Sequence, residues 1–273
     1  MNSLMAYPAG QREGWIPHDV TLVIAPNPGP FTLAGTNTWL TGAPAWLVDP
    51  GPADPDHLER LEFAIQHRGG LAGIVLTHRH ADHAEAVPAL VEQFGVPAFA
   101  GPQAPDPEGF SEPVTTGLPI ERELHEGDEI GPFRVYETPG HSADHVSFLD
   151  HRLLFCGDTV LGEGSVFIPP GGGSLARYLE SLEKLRRLDL EALCPGHGPV
   201  VWDPKAKLDE YIEHRLDRER RLVAALDRGV TDREALLDEV WDDAPAALRP
   251  AAALTLEAHL DKLAGEGRLP PGF

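Results

Sequence analysis

Apolar residues recur along this chain with two spacings, and these predict alternating strands and helices over the first 200 residues. Residues 18–50 are predicted as strands around a Pro/Gly turn at 26–30, and the spacing of Leu58, Leu61 and Ile65 predicts a helix from His57 to His67. A second helix is predicted from Ala84 to Phe94, with Gly95 as its left-handed cap. Residues 101–131 are predicted as loops around short strands, which are followed by further strands over 132–156.

The remaining residues are predicted to be mainly helical. Ser174 begins a helix through Leu188, and a last strand leads to residues 195–198. Asp203 and Pro204 are a favourable N-cap and first residue for a helix of more than twenty residues that ends before Gly229. A capping box over residues 231–234 then begins a second helix, and a third buries Leu256, Leu260 and Leu263. We expect residues 205–273 to pack against the catalytic domain or a second subunit, whose surface this stripe helps to cover, and to shape the substrate entrance. We therefore predict two domains, residues 1–203 and 204–273.

Composition agrees with a soluble protein, and we expect a cytoplasmic location. The 273 residues are 42% hydrophobic, enough for one large domain and an appendage. The sequence has no membrane-spanning stretch, and Met1 to Trp15 lacks the apolar run of a secretory signal. The two cysteines exclude a disulfide scaffold, and we expect Cys156 and Cys194 to be small buried core residues.

The acidic charge weighs against polyanionic partners. The net charge of −21 produces a field that repels them, whereas nucleic-acid binders usually carry a basic patch. Only one short cluster of arginines occurs, and a solvated helix face explains it as well as RNA binding does: Arg215, Arg218, Arg220 and Arg221.

Candidate chemistry is concentrated in four short blocks that contain five histidines and two aspartates. Because a strand-like backbone turns residues two apart to the same side, His78 and His80 aim at one point, whereas the adjacent Asp82 and His83 must aim differently. That arrangement suits two metal ions. Zinc is favoured, and manganese or iron would also fit. Each block follows a strand-like run, so all four are expected along one edge of a sheet: His78 to His83, Pro139 to His141, Gly157 to Thr159 and Pro195 to His197.

The order HxHxDH, GH, GD and PGHG resembles the metallo-β-lactamase superfamily. From about residue 20 to 268 the chain resembles its lactamase-β-like branch, which includes a mitochondrial endoribonuclease. Five segments carry this resemblance: NPGPFTL at 27–33, GTNT at 35–38, LVDPG at 47–51, TPGHSADH at 138–145 and GDTVLGEG at 157–164.

The resemblance implies an α/β fold, an αββα sandwich with the metals at one edge and a small C-terminal winged-helix-like domain. It further implies that His78, His80 and His141 hold one metal, that Asp82, His83 and His197 hold the other, and that Asp158 bridges them. Asp49 would brace the His78 to His83 loop. The appendage departs from a nucleic-acid-reading module because its last helix places Glu257 and Asp261 beside Lys262 and its tail is short.

These ligands imply a binuclear hydrolase with a metal-bridging hydroxide, which Asp82 and Asp158 would orient as catalytic residues. β-Lactam hydrolysis is not expected, because antibiotic-hydrolysing members typically lack an aspartate at position 158. Three hypotheses remain: cleavage of single-stranded RNA, glyoxalase II-like hydrolysis of a small thioester or lactone, and a non-catalytic binding protein, which is the weakest. No membrane partner is expected, and homodimerisation is left open.

Overall fold

Two β-sheets pack face to face between two layers of helices. The computed structural model describes residues 16–17, 19–103, 114–169, 172–270 and 273, so Met1–Trp15 and the centre of the predicted 101–131 loop region lie outside the description. The first sheet has the strand order β1 to β6, with antiparallel pairs up to β3 and parallel pairs beyond it. Its strands are Val20–Ile24, Asn37–Thr41, Ala45–Val48, Leu71–Leu76, Ala98–Ala100 and Ile120–Glu123.

The second sheet has the order β11-β10-β9-β8-β7, and only its β10–β11 pair is parallel. Its strands β7 to β11 are Glu129–Ile130, Phe133–Glu137, Val146–Asp150, Leu153–Gly157 and Ala192–Pro195. The inner faces of the two sheets bury an aromatic core against each other. Its members include Trp39, Phe99, Phe133, Phe148 and Phe155.

The outer face of each sheet is covered by helices, which completes the αββα sandwich that the sequence predicts. Helix α1, Pro55–His67, and helices α2, Ala81–Ala84, and α3, Val87–Phe94, contribute to the apolar cluster over the first sheet. Helix α4, Leu175–Leu185, covers the second sheet with part of α5, Pro204–Asp227. Two further helices, α6, Arg233–Val240, and α7, Arg249–Gly265, follow, with a short 3-10 turn at Ala246–Leu248 between them.

Several local predictions are confirmed and others need correction. Asp203 and Ser174 cap α5 and α4 as expected, and Gly95 ends α3 with a left-handed φ of 64°. The predicted helix from Ala84 instead begins at Val87, because Ala84 ends the separate helix α2 and Pro88, which has no backbone N–H, favours the first turn of a new helix. The predicted capping box is wrong, since Asp232 rather than Thr231 caps α6 by accepting from the Ala235 amide.

The C-terminal helices have a core of their own and also contact the sandwich. Leu256, Leu260 and Leu263 are buried as predicted, but they pack against α5 and α6 rather than covering the catalytic domain. The contact with the sandwich is made instead by Leu208, Tyr211 and Ala258, which join the cluster around α4. No strand follows α7 within residues 266–270. Among the described residues no helix is long and apolar enough to cross a membrane.

Candidate metal centre

The His78 to His83 block begins where β4 ends. Strand β4 finishes at Leu76, and His80 precedes the four-residue helix α2, which carries Asp82 and His83. The turn of that helix separates the directions of His80 and His83, as the sequence predicts. His83 is fully buried, whereas Asp82 is partly open to solvent.

The other candidate ligands follow three strands of the second sheet. His141 lies after β8, Asp158 directly after β10, and His197 shortly after β11. The prediction that all four blocks lie along one sheet edge is therefore wrong: β4 belongs to the first sheet and the other three strands to the second. The blocks still meet, because the two sheets are packed face to face and these strand ends converge.

Glycines are required where the strand ends that carry Asp158 and His197 meet the other candidate ligands. A Cβ on Gly196 would lie 2.4 Å from Asp158 Oδ1 and 2.6 Å from His83 Cε1. Gly157 adopts φ of 45°, and a Cβ there would lie 2.4 Å from Thr77 Oγ1. The glycines that precede Asp158 and His197 therefore let the strand ends come within contact distance.

Six of the seven candidate ligands form two adjoining groups of donor atoms. In one, His80 Nδ1 lies 3.0 Å from His78 Nε2 and 3.1 Å from His141 Nε2. In the other, His197 Nε2 lies 3.2 Å from His83 Nε2 and 3.3 Å from Asp82 Oδ2. Each group gathers three ligand atoms within 4.8 Å of one another, a spacing that fits a metal ion.

Asp158 reaches both groups. Its Oδ2 lies 3.4 Å from His197 Nε2 and 3.8 Å from His141 Nε2, and its Oδ1 lies 3.6 Å from His83 Nε2. The Oδ1 atom is buried without a hydrogen-bond partner. A buried carboxylate oxygen that faces histidine nitrogens suits a metal-bridging position, so this donor set fits two divalent ions.

Opposite charges hold the carboxylates ionised. Burial would raise the pKa of Asp158, but His197 and His83 outweigh it and keep that pKa well below its usual range. Burial would likewise raise the pKa of Asp82, and His83 and His197 again keep it low. Burial would lower the pKa of His83, yet Asp82, Asp158 and Asp49 raise it to about 9. The carboxylate oxygens of Asp82 and Asp158 are therefore negatively charged across the ordinary pH range.

Asp49 and His145 support the cluster from behind. The Asp49 carboxylate accepts from the Thr77 amide and hydroxyl, both at 2.7 Å, and contacts His83 Nδ1. This is the bracing contact that the resemblance implies for Asp49. Burial first, and His141 next, lower the pKa of His145, so its neutral Nε2 can accept from the Asp158 amide at 3.2 Å.

Three further supporting residues were missed by sequence reasoning. Thr36 Oγ1 donates to Asp82 Oδ2 at 3.1 Å, and Asn37 Nδ2 donates to the carbonyls of Pro195 and Gly198 on either side of His197. Arg79 is buried and bound to Asp144, which also accepts from the Arg79 amide. The segment GTNT at 35–38 was already noted as a point of resemblance, but the sequence gives no sign of what it contacts.

A cavity of about 840 Å³ opens onto the donor groups. Its walls are predominantly apolar and include Phe31 and Phe167, whose ring centroids are 5.1 Å apart. Trp241 and Thr255 line it from the C-terminal helices, so one cavity joins the metal centre to the appendage.

The sequence favoured a solvated helix face for the arginine cluster of α5, but two of its four arginines are buried. Arg215 and Arg218 are 2% and 5% exposed and line this cavity, while Arg220 and Arg221 lie nearer the surface in ion pairs with acidic side chains. Arg218 is bound to Asp243 through both carboxylate oxygens. Cys156 and Cys194 are buried and free, as expected. Both belong to apolar core clusters and to neither group of candidate metal ligands.

Comparison with known proteins agrees with this architecture. The family model described as "Metallo-beta-lactamase superfamily" matches residues 32–197, and "Beta-lactamase associated winged helix domain" matches residues 234–269. The Beta-lactamase-like protein 2 homolog of Caenorhabditis elegans is 33% identical over 91% of this chain and 85% of its own length. The Atrochrysone carboxyl ACP thioesterase of Aspergillus fumigatus is 34% identical over 76% of this chain and 64% of its own length.

Solved structures show the same fold. A metallo-beta-lactamase family protein from Thermus thermophilus superposes with a TM-score of 0.72, is 23% identical, and covers 91% of this chain and 94% of its own. TTHA1623, solved in a di-iron-bound form, is 32% identical with a TM-score of 0.54, over 69% of this chain and 98% of its own. The matched sequence, the sandwich and the His/Asp clusters together show that this chain is a hydrolase that belongs to the metallo-β-lactamase superfamily.

Proposed function

We propose that this chain hydrolyses the ester or thioester bond of a small, largely apolar acyl substrate at a two-metal centre. The observation that carries this proposal is the apolar cavity, which is lined by the candidate ligands His80, His141 and Asp158 and continues to Trp241. Such walls suit an acyl chain, because apolar surface removed from water stabilises the complex by about 25 cal/mol per Å². A polyanion would gain little binding free energy from these apolar walls.

We assign the metal sites to the two donor groups. His78, His80 and His141 would hold one ion, Asp82, His83 and His197 the other, and Asp158 would contact both. Zinc is our proposed metal, since imidazole and carboxylate donors suit it, and the same donors admit iron or manganese. When bound, two such ions supply Lewis acidity and lower the pKa of a shared water toward about 7.

Residues of this chain would orient the reacting groups and supply negative charge at the proposed site of hydrolysis. Asp82 and Asp158 are our candidate catalytic residues, because both line the cavity and both stay ionised, so each carboxylate can orient an attacking water by accepting a hydrogen bond from it. Thr36 fixes the Asp82 carboxylate by donating to it. The apolar wall of Phe31 and Phe167 excludes bulk water from the acyl group, which strengthens electrostatic interactions within the site.

One relative supports acyl hydrolysis, and another supports two metals. The Aspergillus fumigatus relative is named as an atrochrysone carboxyl ACP thioesterase, and TTHA1623 was solved in a di-iron-bound form. These names concern those proteins. For this chain the thioesterase favours acyl transfer to water over the other reactions that the fold supports, because the apolar cavity independently points the same way.

Cleavage of single-stranded RNA is the alternative proposal, and it rests on the resemblance to the lactamase-β-like branch. The net charge of −21 and the positions of the α5 arginines weigh against it. Lys262 and Arg268, near the end of the appendage, are also bound to Glu219. Phosphate contacts normally need free cationic side chains, so we expect RNA binding to be weak and to disappear with added salt.

A substrate panel tests the proposal. The metal-loaded protein should hydrolyse S-lactoylglutathione, S-hexanoyl-N-acetylcysteamine or an acyl lactone, and should leave a single-stranded RNA oligonucleotide intact. Asp158→Asn should remove the activity, whereas Asp189→Asn, on the exposed surface, should keep it. RNA cleavage that depends on Asp158, with no hydrolysis of any acyl compound, would reverse the assignment.

A further inference from the structure

Arg215 is a buried cation in the wall of the cavity. Its guanidinium donates to Ser165 Oγ at 3.1 Å and to the Val166 carbonyl, and it lies 5.5 Å from the centre of the Tyr178 ring. All three partners are neutral, and its Nε is buried without a hydrogen-bond partner. In the part of the chain that the structure describes, no carboxylate forms an ion pair with Arg215.

The other arginines near it are balanced by acids. Arg218 is bound to both oxygens of Asp243 at 2.6 and 2.7 Å, and Arg220 to Glu213 at 2.6 Å. The carboxylate of Glu210, which also lines the cavity, lies 3.2 Å from Lys207. Arg215 thus differs from its neighbours on α5 in having no counter-charge, and an unbalanced buried charge is costly.

The side chain next to Arg215 is neutral near pH 7. His214 also lines the cavity, and burial first, then Arg215 and Arg218, lower its pKa to about 4. Its ring is therefore neutral near pH 7 and does not compete with Arg215 for an anion. Both hydrogen bonds of Arg215 come from Nη2, which leaves the N–H groups of Nη1 and the positive charge to attract an oxygen of a carboxylate, sulfonate or phosphate.

We propose that Arg215 forms an anion-binding subsite in the cavity, which selects acyl substrates that carry a negative group away from the bond to be cleaved. The apolar walls between Arg215 and the candidate metal centre would hold the chain that connects the two ends of the substrate. The role of this subsite in selecting acyl substrates rests on the proposed function. The binding of an anion to Arg215 does not, and it can be measured without turnover.

Two fluorescent probes that differ by one charged group test the subsite. 8-Anilinonaphthalene-1-sulfonate carries a sulfonate, and N-phenyl-1-naphthylamine has the same ring system without it. In the metal-loaded full-length protein, Arg215→Met should raise the Kd of the sulfonate probe by about tenfold or more, the usual effect of losing a charged hydrogen bond. The Kd of the neutral probe should change by less than about twofold on the same reasoning.

Two variants control for folding and for general charge. Arg215→Lys keeps the cation and should retain most of the affinity for the sulfonate probe, and Arg220→Met, which removes an exposed arginine from the same helix, should change neither Kd. Competition by hexanoate and by hexyl phosphate then identifies which anion the subsite prefers. Equal loss of both probes in Arg215→Met, or no change in either, contradicts the subsite.

If Arg215→Met does not fold, as judged by circular dichroism, the wild-type protein decides the question. It should bind the sulfonate probe more tightly than the neutral one, even though its net charge of −21 repels anions. Tighter binding of the neutral probe overturns the proposal. Sulfonate binding without acyl hydrolysis would contradict only the proposed function, and acyl hydrolysis without sulfonate preference would contradict only the subsite.

Discussion

Asp49 Oδ2 lies 3.0 Å from His83 Nδ1, and this contact ties the end of β3 to the candidate metal centre. Asp49 is 1% exposed and adopts a φ of 52°, an uncommon conformation for a residue other than glycine. The same carboxylate accepts from the Thr77 amide. Because one nitrogen of His83 is held in this way, its Nε2 is left facing Asp82, Asp158 and His197.

Replacing Asp49 should weaken metal binding. Asp49→Ala removes the acceptor that orients His83, and we expect metal affinity to fall by about 10- to 100-fold, the usual effect of losing such a partner. Competition with a chromophoric chelator measures this. Thr77→Val is the comparison, since it removes only the hydroxyl that donates to Asp49 and should have a smaller effect. Unchanged affinity in Asp49→Ala would show that His83 is oriented by its packing.

The two donor groups predict two metal ions per chain. Elemental analysis of protein purified without chelator should give a ratio near two, and His141→Ala together with His80→Ala should reduce it toward one. The second group contains Asp82, which is partly open to solvent, so incomplete occupancy there is compatible with the assignment. A ratio of zero after metal supplementation would contradict both sites.

Asp158 is predicted to matter far more for activity than for folding. Asp158→Ala removes the carboxylate that contacts both groups, and kcat/KM on any identified substrate should fall by at least about a thousandfold, or roughly 4 kcal/mol of transition-state stabilisation. Thermal unfolding of the same variant should show a much smaller loss than the activity does, because Oδ2 loses its contacts with His197 and His141 but the apolar clusters of the two sheets do not include Asp158. Turnover at the wild-type rate would remove Asp158 from the mechanism.

His145→Ala should have a milder effect than Asp158→Ala. His145 does not belong to either donor group, but its ring accepts from the Asp158 amide and contacts Thr138 Oγ1 at 2.8 Å. We expect it to position Asp158 and to contribute to packing. His145→Gln, which can still accept from the amide, should recover part of the kcat that His145→Ala loses. Equal losses in the two variants would indicate that only the packing of the ring matters.

His214 should make stability depend on pH. Its pKa is about 4 in the folded chain and 6.5 in the absence of burial and neighbouring charge. Between those values the unfolded chain holds a proton that the folded chain lacks, so the free energy of unfolding decreases as pH falls from about 6.5 to about 4 and changes no further below that. Because the ring is partly exposed, we expect about 1 kcal/mol.

Urea unfolding at about pH 7 and pH 5 measures this contribution. His214→Asn should lose less stability than the wild type between the two conditions, whereas His151→Asn, whose side chain is 96% exposed, should lose as much as the wild type. The same loss in all three proteins would rule out His214 as the source.

The appendage is predicted to stabilise the sandwich. Leu208 is 1% exposed and Tyr211 binds the Gly164 carbonyl at 2.9 Å, so a chain that ends at the proposed boundary of residue 203 should aggregate or unfold more readily. Leu208→Ala in the full chain should cost about 2–5 kcal/mol, as for other buried leucines. Leu216→Ala, on an exposed position of the same helix, should cost much less. A truncated chain of wild-type stability would show that the two parts fold independently.

Much of the local structure was predictable from the sequence because it depends on neighbouring residues. The apolar runs before each block are strands, and Asp203 with Pro204 begins α5. Capping was less certain where two candidates were adjacent, as with Thr231 and Asp232, since the choice depends on where the chain enters the helix. The C-terminal stripe was correctly predicted as buried, but its partner was not, because periodicity identifies a face without identifying what covers it.

The sequence alone determined which side chains could hold metal, because the spacing of His78 to His83 and the glycines before Asp158 and His197 are local properties. Only the tertiary structure decided how they meet, by dividing their strands between two sheets and adding Asp49, Thr36 and Asn37 from distant segments. It also decided that Arg215 faces the cavity rather than solvent. The environment of a charged side chain depends on which long-range surfaces pack against its helix, and a single stretch of sequence contains no record of them.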